Sequence, residues 1–169
     1  LKADWGMTDD HMVMHYFVDN PKVSLLEVPK IIMEKTEVGN FGNTTINRPF
    51  YYSGRVLESA LWQREVPLWY LARIMMFFVS VALFWILLER WIGFFYGGIF
   101  IFFVLLASYW AWIWGYLGPA ENYAMFGSAL YLYGFFNVVS RLKNDVRDKK
   151  GILIHSLVLL LGSLIAIGS

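Results

Sequence analysis

The sequence predicts an all-α integral membrane protein, with about four transmembrane helices preceded by a polar, loop-rich N-terminal arm with short helices. Three observations carry this expectation. The first is composition: of 169 residues, 58% are hydrophobic and 19% aromatic, while only 16% are charged. A soluble domain carries roughly 25% charged residues, and the mean hydropathy of +0.50 points the same way. The second is charge segregation. Residues 1–65 hold seven Lys and Arg against nine Asp and Glu, a net of −2, whereas residues 66–169 hold seven against four, a net of +3. The third is a set of apolar runs, each close to the roughly 20 residues that cross a bilayer core as a helix. This balance excludes a disordered tail, a nucleic-acid binder and, with no cysteine in the chain, a disulfide scaffold.

The arm, residues 1–65, reads as short helices joined by loops. Thr8 is placed to cap a turn that runs through Val18 and stops at Asn20-Pro21. Ser24 and Glu27 have capping-box spacing, and Pro29 suits the first turn of a helix that continues to Val38. Gly39 to Pro49 is rich in Gly and Asn and reads as loop. Arg55–Arg64, with Val56, Leu57, Ala60 and Leu61 clustered, reads as an amphipathic helix on the membrane surface. The arm's apolar pattern is too sparse for a core of its own, so it is expected to be ordered by docking.

Residues 66–169 form the transmembrane region. The first span is Val66–Leu88, with Pro67 in its first turn and Arg73 near enough to the end to snorkel. Glu89 and Arg90 break the run. A single helix from residue 74 to 117 would be about 66 Å long, twice a bilayer core, so the chain is expected to turn back around Glu89–Tyr96. The second span is then 98–117. Gly118-Pro119 stops it, and the third span follows over 123–139. A basic loop, Arg141–Lys150, precedes the fourth span over 151–169. The positive-inside rule places that loop and Arg90 on the cytoplasmic or matrix side and the arm on the other. The chain opens on Leu1, not Met, which suits a processed N-terminus.

Few residues suggest chemistry. His155 is the one histidine in a span, on a helical face with Leu159, Gly162, Ala166 and Ser169. Small residues at this spacing let helices approach closely, so His155 is expected to face protein, where an imidazole can ligate haem b, donate to a quinone or relay a proton. His11, His15 and Asp19 would share a helical face as a divalent-metal set. The bland readings are a histidine hydrogen-bonded to a neighbouring helix or to lipid head-groups, and a solvated polar face. Ala107, Ala111 and Gly115 repeat every four residues as a second packing stripe. Tyr109, Trp110, Trp112, Trp114 and Tyr116 crowd one end of the second span, and Trp85, Trp91, Phe94, Phe95 and Tyr96 the other, as aromatic belts at two interfaces do.

The sequence holds no phosphate-cradling loop, nucleophile elbow or midplane charge. The expected function is therefore a non-catalytic accessory subunit of a large membrane complex, with other membrane subunits and bound lipid as partners. A respiratory-chain assembly of the mitochondrial inner membrane is the favoured setting; a bacterial inner membrane or a thylakoid is the alternative. The rival expectation is a haem- or quinone-binding anchor within an oxidoreductase complex, acting through His155. The four-helix layout with a histidine resembles the membrane anchors of succinate dehydrogenase, whose paired haem histidines have no counterpart here. A small oligomeric channel or transporter is the third reading.

Overall fold

A computed structural model describes residues 16–17, 22–39, 48–107, 120–143 and 149–169. Among them the chain is all-helical, with six helices: α1 (Val28–Lys35), α2 (Pro49–Trp62), α3 (Val66–Ile92), α4 (Phe94–Leu105), α5 (Glu121–Lys143) and α6 (Lys149–Ile167). The helices α3 and α6 are long and apolar enough to cross a membrane. The apolar α4 has 12 residues, about 18 Å of helix. The 23-residue α5 is less apolar, because Asn122, Asn137, Tyr123, Tyr131 and Tyr133 interrupt it.

The turn after α3 is sharper than the sequence suggests. A single residue, Gly93 at φ +83°, separates it from α4, a backbone conformation that a side chain would strain. Gly97 then lies against Leu88 and Glu89, and Gly98 against Trp85, so α4 folds back along α3. It begins four residues before the expected 98. Ala107 is exposed beyond its C-terminus, while Ala111 and Gly115, like the aromatics of 109–116, lie outside the described residues.

Among the described residues, the most extensive helix contact joins α5 and α6, and glycine makes it possible. A Cβ on Gly127 would lie 2.9 Å from the Gly162 carbonyl oxygen, and one on Gly134 would lie 2.8 Å from that of His155. A Cβ on Gly162 would strike the Tyr131 backbone nitrogen. The stripe Leu159–Gly162–Ala166 therefore faces α5, backbone against backbone, as small-residue faces allow. The register pairs 127 with 162 and 134 with 155–159, which makes the two helices antiparallel.

The described apolar residues of the arm pack on one another and on the start of α3. Tyr16, Phe17 and Val23 cluster with Val56 and Ala60 of α2 and with Trp69 of α3. The Glu27 carboxylate accepts from the Ser24 N–H at 2.9 Å, closing the turn that feeds α1, whose first turn holds Pro29. Gln63 carries the join between arm and bundle. Its side-chain amide pairs with the Val23 backbone, accepting at 2.9 Å and donating at 2.7 Å, and the Gln63 backbone carbonyl accepts from the Trp69 indole N–H at 2.9 Å. These bonds hold Gln63 at φ +50°, uncommon for a non-glycine residue. The start of α2 caps the end of α6: the N–H groups of Phe50 and Tyr51 both donate to the Gly168 carbonyl, at 3.0 and 3.1 Å, joining complementary helix ends.

Gly162→Leu is expected to destabilise the fold by about 1–3 kcal/mol through overpacking. Leu160→Ala, on the exposed side of α6, should stay within about 0.5 kcal/mol. Thermal unfolding of the detergent-solubilised chain measures both, and equal effects would mean that α6 does not use this face.

Candidate functional site

The most polar buried region sits where α2, α3 and α5 meet. On α2, Arg55 and Glu58 are three residues apart and project to the same side; on α3, Arg73 faces them. Both arginines are 2% exposed. Arg73 Nη2 donates to Glu58 Oε2 at 2.8 Å and to the Tyr123 hydroxyl of α5 at 2.9 Å. Arg55 Nη1 lies 3.6 Å from the same Glu58 oxygen. One carboxylate thus serves two guanidinium groups. The walls are aromatic: Arg73 lies 4.3 Å from the centre of the Tyr123 ring, and Arg55 lies 5.4 Å from Tyr51 and 5.8 Å from Trp69. Ring faces carry negative charge density, so they offset part of the surplus cation. Gly54 leaves room for the Tyr123 ring, which a Cβ there would approach to 3.1 Å.

Burial opposes charge on Arg55, but Tyr123, Glu58 and Tyr51 more than compensate and hold its guanidinium above its ordinary value. The expected snorkelling of Arg73 is not what the structure shows. Its head turns inward to Glu58 and Tyr123, because a charge-assisted bond to a buried carboxylate outweighs what a bent side chain gains at the interface. The amphipathic helix is found as α2, but its buried face, Tyr51, Tyr52, Arg55, Val56, Ser59 and Ala60, packs on protein. Phe50, Leu57 and Leu61 form a second, exposed apolar face.

A second polar contact pins the far end of the same helix pair. Arg90 Nη1 donates to Asn137 Oδ1 at 3.1 Å, and the Asn137 amide donates to the Tyr133 carbonyl at 2.8 Å. Beside it, Trp91 meets Phe136 edge to face at 4.9 Å. With Arg73 on Tyr123 and Arg90 on Asn137, α3 and α5 run parallel. The two contacts are separated by about 25 Å of α3, close to the thickness of a bilayer core.

His155 is half-buried between α5 and α6, its ring 5.8 Å from Tyr133 and edge-on to it. His11, His15 and Asp19 lie outside the described residues, and among the described residues no group of three His, Asp or Glu is arranged to hold a metal. Sequence reasoning singled out Arg73 but not its partners. The available signal was charge accounting: an arginine inside an apolar run requires a carboxylate, and Glu58 sits on the amphipathic face just before it. Compared with known proteins, the chain matches no family model, no curated protein and no solved structure.

The site joins α2, α3 and α5. Glu58→Gln leaves two buried cations without a carboxylate and should cost about 3–5 kcal/mol. Tyr123→Phe removes one hydrogen bond and should cost about 1 kcal/mol. Thermal unfolding in detergent ranks them, and a Glu58→Gln protein as stable as wild type would refute the shared-carboxylate arrangement. At the edge of the site, burial and then the hydrogen-bonded Glu37 carboxylate push the Tyr52 phenol up to about 12. The folded state holds this proton more tightly than the unfolded chain. Its stabilisation is therefore complete below about pH 10 and is lost as pH rises through the folded value. An ultraviolet titration of wild type minus Tyr52→Phe should show a tyrosinate step near 12; a step at the ordinary value of about 10 would place the phenol in water.

Proposed function

We propose that this chain is a non-catalytic accessory subunit of a large multi-subunit membrane complex. In this reading it crosses the bilayer four times, near 66–88, 98–117, 123–139 and 151–169, and the arm, residues 1–65, lies on the far side from the basic loop. One observation carries it. In the apolar stretches of α3 and α6 only 17% and 6% of residues are buried within the chain. Ile74, Met75 and Phe78 on α3, and Leu153, Leu157, Leu160 and Leu164 on α6, are exposed large hydrophobics. An apolar surface this broad requires lipid or other membrane helices to cover it. The up-and-down order of α3 to α6 supports four crossings, with α5 and α6 joined tightly and α4 folded along α3. The basic residues Arg90, Arg141, Lys143, Lys149 and Lys150 share one end of the bundle, which supports the orientation. The choice of a respiratory-chain assembly in the mitochondrial inner membrane rests on the sequence: a cysteine-free chain with no catalytic motif of its own.

The native particle tests this. After mild detergent extraction, native electrophoresis and mass spectrometry of the band should recover the chain in stoichiometric amounts with other membrane subunits. Recovery as a small free particle would overturn the reading. A b-type haem absorbance in that particle, lost in His155→Ala, would instead establish the anchor role.

A further inference from the structure

The apolar surface is not uniform. The helices α4 and α5 each pack on α3 but scarcely touch one another, which leaves a groove floored by α3. Phe77, Phe84 and Trp91 mark its length along α3. Ile101 and Val104 wall one side, and Leu132 and Phe136 the other. Two hollows of about 350 and 270 Å³ lie in it, and they share Phe84, Ile101 and Val104, so the groove is continuous. From Phe77 to Trp91 it runs about 21 Å, longer than one leaflet's half of the hydrocarbon core, about 15 Å. Its lining is apolar and aromatic throughout.

The two ends differ in charge. At the Trp91 end, Arg90 precedes the lining residue Trp91 in the chain and donates to Asn137, which follows the lining residue Phe136. Arg141 follows Asn137 by one turn of α5, and the antiparallel register of α5 and α6 brings Lys149 and Lys150 to the same level. Trp91, Phe94, Phe95 and Tyr96, all exposed, ring this end, as aromatic residues do at the headgroup level. An apolar groove with a basic residue at the level of its aromatic-ringed end suits an acyl chain along the groove and a phosphate beyond it.

We propose that the α3–α4–α5 groove holds one acyl chain of an anionic phospholipid, with its phosphate at Arg90. This rests on the membrane-embedded reading above. Arg90 supplies the preference for negative charge and the groove supplies retention. A basic side chain at an anionic surface changes binding about fivefold, which sets the size of the effect expected for Arg90.

The full chain is reconstituted in vesicles of phosphatidylcholine and phosphatidylglycerol in equal parts, extracted in mild detergent and weighed by native mass spectrometry. The expected result is one phosphatidylglycerol retained per chain. Arg90→Gln should lower the preference for phosphatidylglycerol over phosphatidylcholine about fivefold, and Val104→Trp should abolish retention of both. If Val104→Trp fails to fold, the milder Leu132→Phe tests the opposite wall and should weaken retention. Equal retention of the two lipids by wild type would overturn the Arg90 assignment. No retained lipid, from a chain that resists alkaline carbonate extraction, would overturn the groove and leave it to a partner helix or an isoprenoid tail. A chain released by carbonate would overturn the embedded reading itself, and the lipid site with it.

Discussion

Arg73 places a charge inside the first apolar helix, and much of the architecture follows from the need to meet it. Stranding a guanidinium in a low-dielectric interior costs several kcal/mol, so a carboxylate has to come to it from outside the helix. Glu58 does so at 2.8 Å, and to reach it α2 must lie across the end of the bundle. Once α2 is there, Arg55 shares the same carboxylate and stacks between Tyr51 and Trp69. Tyr123 closes the site from α5, its hydroxyl accepting from Arg73 and its ring face forming a wall. The shared carboxylate ties the polar arm to the apolar bundle, beside the bonds of Gln63 and the Phe50 and Tyr51 donors to Gly168.

The rest of the bundle is built with little apolar burial of its own. Where α5 meets α6, Gly127, Gly134 and Gly162 bring the two backbones together, so association rests on close dispersion contacts that remain available in lipid. Where α3 meets α5, polar contacts sit at the two ends, Arg73 with Tyr123 and Arg90 with Asn137, with apolar surface between them. Both devices suit a setting in which apolar surface is not expelled by water. They leave wide faces of α3, α4 and α6 uncovered, which is the property that the accessory-subunit proposal and the lipid-groove proposal both use.

The helical class, the stretches apolar enough to cross a membrane, the return after α3 and the tendency of α6 to pack through Gly162 are all written in local patterns: run length, charge breaks and small-residue spacing. Each depends only on residues close in the chain. Gln63 shows the opposite case. Nothing in its neighbours asks for φ +50°, and the conformation is held by the Val23 backbone forty positions away and by the Trp69 indole.

The sequence by itself determined which stretches avoid water and which faces are small, because hydropathy and side-chain volume are properties of each residue. Only the tertiary structure decided that Arg73 turns inward, that Glu58 is shared and that α4 and α5 part to leave a groove over α3. The physical reason is that a pairing free energy belongs to two groups at a distance. Arg73 alone is compatible with reaching for the membrane surface; the docking of α2 places a carboxylate 2.8 Å away and makes the buried ion pair the lower-energy choice.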